Sequence, residues 1–162
     1  MVFDLSEYEN TIYHNPQRYD DQYWWKKNDI EFWKKKYHHI EGSQILELGS
    51  GTGRLAIPLI REGAHYTGIE ISKKFCNQAK KKIKKEKLTA KILNQDFRSF
   101  QLNKKYDMIF IGFNTFLHLL NDSDAMQFFC SVKQHMHAKT LFYIDIFVPN
   151  PLFLYRTKKR IK

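Results

Sequence analysis

Three acids and a run of glycines carry the chemistry that this chain of 162 residues can be expected to perform. The densest stretch is Glu47-Leu48-Gly49-Ser50-Gly51-Thr52-Gly53-Arg54, entered by an apolar run at 44–48 and left by a helical run at 55–61. A buried strand that meets a glycine turn and opens a helix sets a ligand against bare backbone at the strand's carboxyl end. Glycine there permits positive φ and removes the Cβ atoms that would block the ligand. The order is Glu-x-Gly-x-Gly-x-Gly rather than the Gly-x-Gly-x-x-Gly of dinucleotide sites, so the turn alone is a weak signal. Glu70 follows Gly53 by 17 positions at the end of a second apolar run. In a doubly wound sheet an acid at that place accepts hydrogen bonds from both ribose hydroxyls of a nucleoside. Asp96 ends a third run and can accept from an adenine amino group, with Phe97 offering an aromatic face beside the base. Gly112 ends a fourth. An isolated acid after a strand is more often a solvated surface group; being in register with the glycine turn and with Asp96 reverses that reading for Glu70.

Alternating strands and helices are needed to hold these groups together. Strands are expected near residues 44–49, 65–70, 90–95, 106–111 and 140–147. Right-handed crossovers place them in the spatial order third, second, first, fourth, fifth, a mainly parallel, doubly wound α/β sheet of Rossmann-like class. In the helix after the second strand, Phe75, Ala79 and Ile83 recur at four-residue spacing as a buried stripe. That leaves Lys80, Lys81, Lys82, Lys84, Lys85 and Lys87 to solvent. Asp122 or Ser123 is expected to cap the helix after the fourth strand, with Met126, Phe129, Val132 and Met136 as its buried face. Ahead of the first strand lies an aromatic segment containing Tyr13, Tyr19, Tyr23, Trp24, Trp25, Phe32 and Trp33, read as one helix over 21–37. The chain thus divides into a helical, aromatic lid segment at 1–40, a core at 41–148 and a basic tail at 149–162.

Gly, Glu, Asp and Gly at four successive strand ends resemble the class I S-adenosylmethionine-dependent methyltransferases, in particular the branch acting on small amines and similar metabolites. The resemblance spans about residues 19–153. It implies that Gly49, Gly51 and Gly53 let the backbone lie along the methionine portion and the ribose of the cofactor, with Arg54 and Gly112 in the same binding set. It further implies Glu47 near the cofactor's ammonium through water, Glu70 on the ribose, Asp96 on the adenine amino group, and Ile71 and Phe97 sandwiching the ring. Tyr19-Asp20 and Asp29-Ile30-Glu31-Phe32 match the family's pattern, which makes Tyr19 a candidate contact to the methionine carboxylate. In that family the aromatic amino-terminal region closes the acceptor pocket. For Tyr19 and Trp24, pocket and packing roles are evenly matched, whereas Phe32 and Trp33 read as packing.

After the fourth strand, Phe113-Asn114-Thr115-Phe116-Leu117-His118-Leu119 occupies the acceptor side. His118 is the one candidate for steering an amine or taking a proton. A neutral amine is already nucleophilic and methyl transfer is chiefly positioning, so a pocket-lining or packing role is favoured for it. The Asn/Asp-Pro-Pro-Tyr/Phe motif of enzymes that methylate amide or exocyclic amino nitrogens is missing, which counts against DNA adenine and glutamine acceptors. The resemblance implies a small-molecule acceptor such as an amine. Alternatives are an RNA- or protein-directed methyltransferase and a cofactor-binding fragment without catalysis.

Composition bounds the remaining classes. Apolar residues make up 43% and aromatics 15%, which suits a folded domain. The net charge of +10 raises the question of nucleic acid, but only six of the 27 basic residues are Arg, the residue of bidentate phosphate and guanine recognition. A solvated lysine face is therefore favoured over a nucleic-acid surface. No run of 18 apolar residues exists, and residues 1–8 lack the basic-then-apolar pattern of a secretory signal, so no membrane partner and a cytoplasmic location are expected. Cys76 and Cys130 lack metal-ligand spacing and are expected to be buried, reduced packing residues; no metal site is expected.

Pro149-Asn150-Pro151 breaks the chain after the fifth strand, where the resembling family continues with another helix and an antiparallel strand pair. A fragment of a longer enzyme, or a partner that completes it, is expected. The apolar 140–147 strand would then be an unprotected edge, missing its covering helix on one face, and self-association through it is expected.

Overall fold

Near-continuous apolar runs such as Gln44–Leu48 and Tyr106–Ile111 suit strands covered on both faces, and the computed structural model folds them so. Residues 12–38, 40 and 42–148 are described; the expected basic tail and the first eleven residues of the expected lid lie outside them. The strands are β1 (Gln44–Leu48), β2 (His65–Glu70), β3 (Lys91–Asn94), β4 (Tyr106–Ile111) and β5 (Met136–Ile144). They pair in the order β3-β2-β1-β4-β5, every pair parallel. The expected order is thus the observed one. The chain reverses its direction of sheet growth between β1 and β4, and a crevice opens there beyond the carboxyl ends of the strands.

Helices α1 (Pro16–Tyr23), α2 (Asn28–His38), α3 (Ala56–Arg61), α4 (Lys73–Lys85) and α5 (Asp122–Gln134) flank the sheet. The two-residue period of β4 sends Met108 and Phe110 to one core and Ile109 and Ile111 to the other. The first core gathers Trp33 and Tyr37 of α2, Ala56 and Leu59 of α3, and Cys76, Ala79 and Ile83 of α4. The second is closed by Phe128 and Val132 of α5. The expected stripe Phe75, Ala79, Ile83 is buried, and Lys80, Lys81, Lys84, Lys85 and Lys87 are exposed. Lys82 departs from that solvent face: its ammonium binds the Asp20 carboxylate of α1 at 2.9 Å.

Several local expectations are corrected. Residues 21–37 are two helices, not one. Proline at position 16 and the Asn15 side chain, which accepts from the Arg18 N–H at 3.0 Å, start α1 earlier than expected. The chain then breaks before α2, and the Arg54 guanidinium binds the Lys26 carbonyl that a continuous helix would have used. Trp24 and Trp25 consequently face solvent at 71% and 59% exposure, as does much of Phe32, whereas Trp33 packs on Phe110 with ring centroids 4.4 Å apart. In α5 the cap is Asn121, not Asp122 or Ser123, because its side chain accepts from the Asp124 N–H at 2.9 Å. Its buried residues are Phe128, Ser131 and Val132; Met126 and Phe129 are exposed, and Met136 belongs to β5. Cys130 is likewise exposed on that helix, while Cys76 is buried. The fifth strand starts and ends earlier than 140–147, and both of its faces carry helix contacts. Phe142 meets Phe128 and Phe129 of α5, and Tyr143 meets Trp33 of α2. Helices thus touch both faces of β5, yet none of its residues is buried and Leu141 and Ile144 are exposed; the covering helix expected after the strand would follow residue 148, outside the described residues.

Candidate functional site

The glycine turn after β1 is tied to its neighbour by backbone. The N–H groups of Gly49 and Ser50 both donate to the Ile69 carbonyl at 2.9 Å. Gly49, Gly51 and Gly53 have φ of +72°, +56° and +77°, a region that side-chain-bearing residues seldom adopt. Their surroundings differ. A Cβ on Gly49 would lie 2.4 Å from Thr115 Cγ2, and one on Gly53 would lie 3.2 Å from the Ala79 Cβ of α4. A Cβ on Gly51 would meet nothing within 4 Å. Gly51 therefore faces open space, while Gly53 serves helix packing and lines neither of the cavities below.

That open space is a cavity of about 140 Å³ at the switch point. Gly49, Gly51, Glu70, Ile71, Asp96 and Phe97 all line it, as the sequence suggested. The Glu70 carboxylate accepts from the Gly51 N–H at 2.9 Å and from the Ser72 N–H at 2.8 Å. Burial raises its pKa from the ordinary value, opposed by these backbone bonds. One carboxylate thus fixes both the glycine turn and the start of α4, and retains lone pairs for a ligand. Asp96 is clamped by Arg98, whose Nη2 lies 2.6 Å from it and whose Nη1 reaches Asp124 at 3.0 Å. Ile71 and Phe97 stand on the two strand ends that flank the cavity, and Phe97 is held edge-on by Phe128 at 5.8 Å.

Tyr19 and His118 complete the wall with Tyr13, Ser72, Phe75 and Thr115. Tyr19 of α1 packs against Phe75 of α4 at 5.2 Å and Tyr23 at 4.8 Å, and burial raises its phenol pKa. The His118 ring meets Tyr13 edge-on at 5.9 Å. Trp24, evenly matched for a pocket role on sequence, lines neither cavity.

A second, smaller cavity of about 30 Å³ adjoins the first through Tyr19, Gly49, Gly51 and Thr115, and adds Glu47, Arg54, Gly112 and Phe113. Glu47 is buried and accepts from the Tyr66 hydroxyl. Burial pushes its carboxyl up to about 8, offset in part by that hydrogen bond and by the positive charge of Arg54. Arg54 is itself locked bidentately on Asp29, at 2.8 and 2.7 Å, and stacks over Phe113 at 5.1 Å. Asp29 was visible in the sequence only as part of a pattern; its partnership with Arg54 spans 25 positions, beyond any local signal. Tyr66, 19 positions from Glu47, was missed for the same reason, whereas Arg98 lies only two positions from Asp96 and was not singled out.

Among the described residues no group of three or more His, Cys, Asp or Glu side chains could hold a metal ion, and no helix is long and apolar enough to cross a membrane. The family described as "Methyltransferase domain" matches residues 45–139, more than half of the chain. A Geobacillus sp. (strain WCH70) protein named as a methyltransferase is 26% identical over 112 residues, covering 69% of this chain and 45% of that protein. The ubiquinone biosynthesis O-methyltransferase of Rickettsia prowazekii (strain Madrid E) is 28% identical, over 70% of this chain and 50% of its own length. The chain spans about half the length of these curated relatives. Among solved structures, the glycopeptide N-methyltransferase MtfA complexed with S-adenosylmethionine superposes with a TM-score of 0.63 at 20% identity, over 73% of this chain and 53% of that one.

Proposed function

The chain belongs to the methyltransferase domain family, and from that premise we propose that it binds S-adenosylmethionine in the larger cavity and transfers the methyl group to a small-molecule acceptor such as an amine. The observation that carries this reading is Gly51, whose missing Cβ opens onto the cavity between Glu70 and the pair Ile71 and Phe97. An adenosine moiety needs such a cradle: an acceptor for the ribose hydroxyls, an acceptor for the adenine amino group, and flat apolar walls for the ring.

Glu70 accepts from the ribose with the lone pairs that Gly51 and Ser72 leave free. Asp96, oriented by the Arg98 guanidinium, accepts from the adenine amino group. Ile71 and Phe97 sandwich the ring. The adjoining small cavity suits the amino-acid end: Glu47 pairs with the ammonium, directly or through a water for which the volume suffices, and Tyr19 reaches the carboxylate. Gly112 and Arg54 complete that end, Arg54 mainly by anchoring Asp29 and the start of α2.

Bound in this way, the cofactor supplies a methyl carbon on a sulfonium. An accepting nitrogen that took this methyl group would release a proton, to water or to a nearby base. His118, which lines the cavity beside Thr115, is the residue on the acceptor side able to take it. The protein's main contribution is to hold donor and acceptor in line.

The decisive experiment incubates the protein with methyl-labelled cofactor and separate metabolite, RNA and protein fractions. Label in the metabolite fraction is expected. Label confined to RNA or protein would replace the small-molecule reading, and cofactor binding without label in any fraction would reduce the chain to a binding module.

A further inference from the structure

Two consecutive residues other than glycine, Phe113 and Asn114, have φ of +53° and +62°. Asparagine tolerates this region, but for a bulky phenylalanine it is an outlier that persists only where the surroundings impose it. Asp145, the residue after β5, imposes it. Its Oδ2 accepts from the Phe113 N–H at 3.0 Å, and its carbonyl accepts from the Asn114 N–H at 3.3 Å. Its own N–H donates to the Ile111 carbonyl at 2.9 Å, so the end of β5 is fixed to the end of β4. Asn114 closes the loop, its Oδ1 accepting from the Phe147 N–H at 2.5 Å.

The turn governs one wall of the site. Immediately after it, Thr115 sits where its methyl group would clash with any side chain on Gly49, and Thr115 and His118 both line the larger cavity. Phe113 and Thr115 line the smaller one, with the Phe113 ring held between Arg54 and Tyr23, the latter at 5.0 Å. Asp145 lines neither cavity. We propose that Asp145 is a positioning residue for the methyl-transfer site, holding the left-handed Phe113–Asn114 turn so that the wall bearing Thr115 and His118 is formed before any ligand arrives. A carboxylate suits this task because it is purely an acceptor, with no donor to turn toward the Phe113 N–H. The proposal rests on the cofactor reading above.

The test titrates S-adenosylhomocysteine calorimetrically into the wild type, Asp145→Ala and Asp145→Asn, and follows amide hydrogen exchange at Phe113 and Asn114 in each. The alanine variant is expected to bind about tenfold more weakly and to exchange the Phe113 amide about tenfold faster, while the asparagine variant, whose side-chain oxygen still accepts, stays within about threefold of wild type. Rescue by asparagine separates positioning from a mere loss of charge. Wild-type affinity and exchange in Asp145→Ala would overturn the proposal, as would equal damage in both variants. A wild type that binds no S-adenosylhomocysteine would refute the cofactor reading instead. Phe113 exchange would then still decide whether Asp145 holds the turn, and unchanged exchange would sink the proposal by itself.

Discussion

Glu70 has two tasks at once, and a single substitution exposes both. Its carboxylate fixes the Gly51 and Ser72 amides and, on the proposed reading, the ribose. Glu70→Ala should weaken S-adenosylmethionine binding by roughly 1.5–3 kcal/mol, the worth of charge-assisted hydrogen bonds, measured by calorimetry. An unchanged affinity would contradict the ribose role. Glu47 makes a pH-dependent prediction. Its carboxyl ionises near 4.5 when unfolded and near 8 in the fold, because burial disfavours the charged form. The folded state therefore binds the extra proton between these values, and stability falls as pH rises from about 4.5 to about 8 and is level beyond. Glu47→Gln should flatten that slope in thermal melts, and an undiminished slope would assign it elsewhere. If ionised Glu47 receives the cofactor's ammonium, wild-type affinity should also rise with pH across about 6 to 8, a rise that Glu47→Gln abolishes. Gly49, Gly51, Glu70 and Asp96 were legible because strand ends in one parallel sheet are brought side by side by topology alone. The pairings of Asp29 with Arg54 and of Tyr66 with Glu47 were not, since they join residues 25 and 19 positions apart.

At the scale of elements, α5 shows where periodicity misleads. Met126, Phe129 and Val132 fit a helical stripe, yet the buried residues are Phe128, Ser131 and Val132. Val132 is buried as expected, but the adjacent Phe128 and Phe129 offer alternative faces, and only docking on Ile109 and Ile111 chooses Phe128. Phe128→Ala should cost about 3–5 kcal/mol of unfolding free energy and Phe129→Ala distinctly less. Denaturant melts of the two variants check this, and equal costs would restore the sequence-based face. The break between α1 and α2 was illegible for a related reason. No Gly or Pro marks it; Arg54, remote in sequence, caps the Lys26 carbonyl. The sheet order, by contrast, was readable in full, because alternating strands and helices with right-handed crossovers leave few topologies.

Across the whole molecule, β5 is one of the two edge strands of the described sheet, and Leu141 and Ile144 on it are exposed together with Met126 and Phe129 on α5. We propose that the 162-residue chain pairs with a second copy along this edge, since an apolar edge strand is a template for further pairing. Light scattering at micromolar concentration should show species larger than a monomer, and Leu141→Lys should return them to monomer; a monodisperse wild-type monomer would refute the pairing. Titrating S-adenosylhomocysteine into the wild type and Gly51→Val asks whether the larger cavity holds S-adenosylmethionine against the bare backbone of Gly51. A Cβ at position 51 would meet no atom of the rest of the protein within 4 Å, so the fold should survive apart from the backbone strain at φ +56°. Saturable binding by the wild type, with none by a Gly51→Val variant that still melts cooperatively, is the predicted result. Equal binding by both proteins, or a wild type that prefers a nicotinamide dinucleotide, would contradict it.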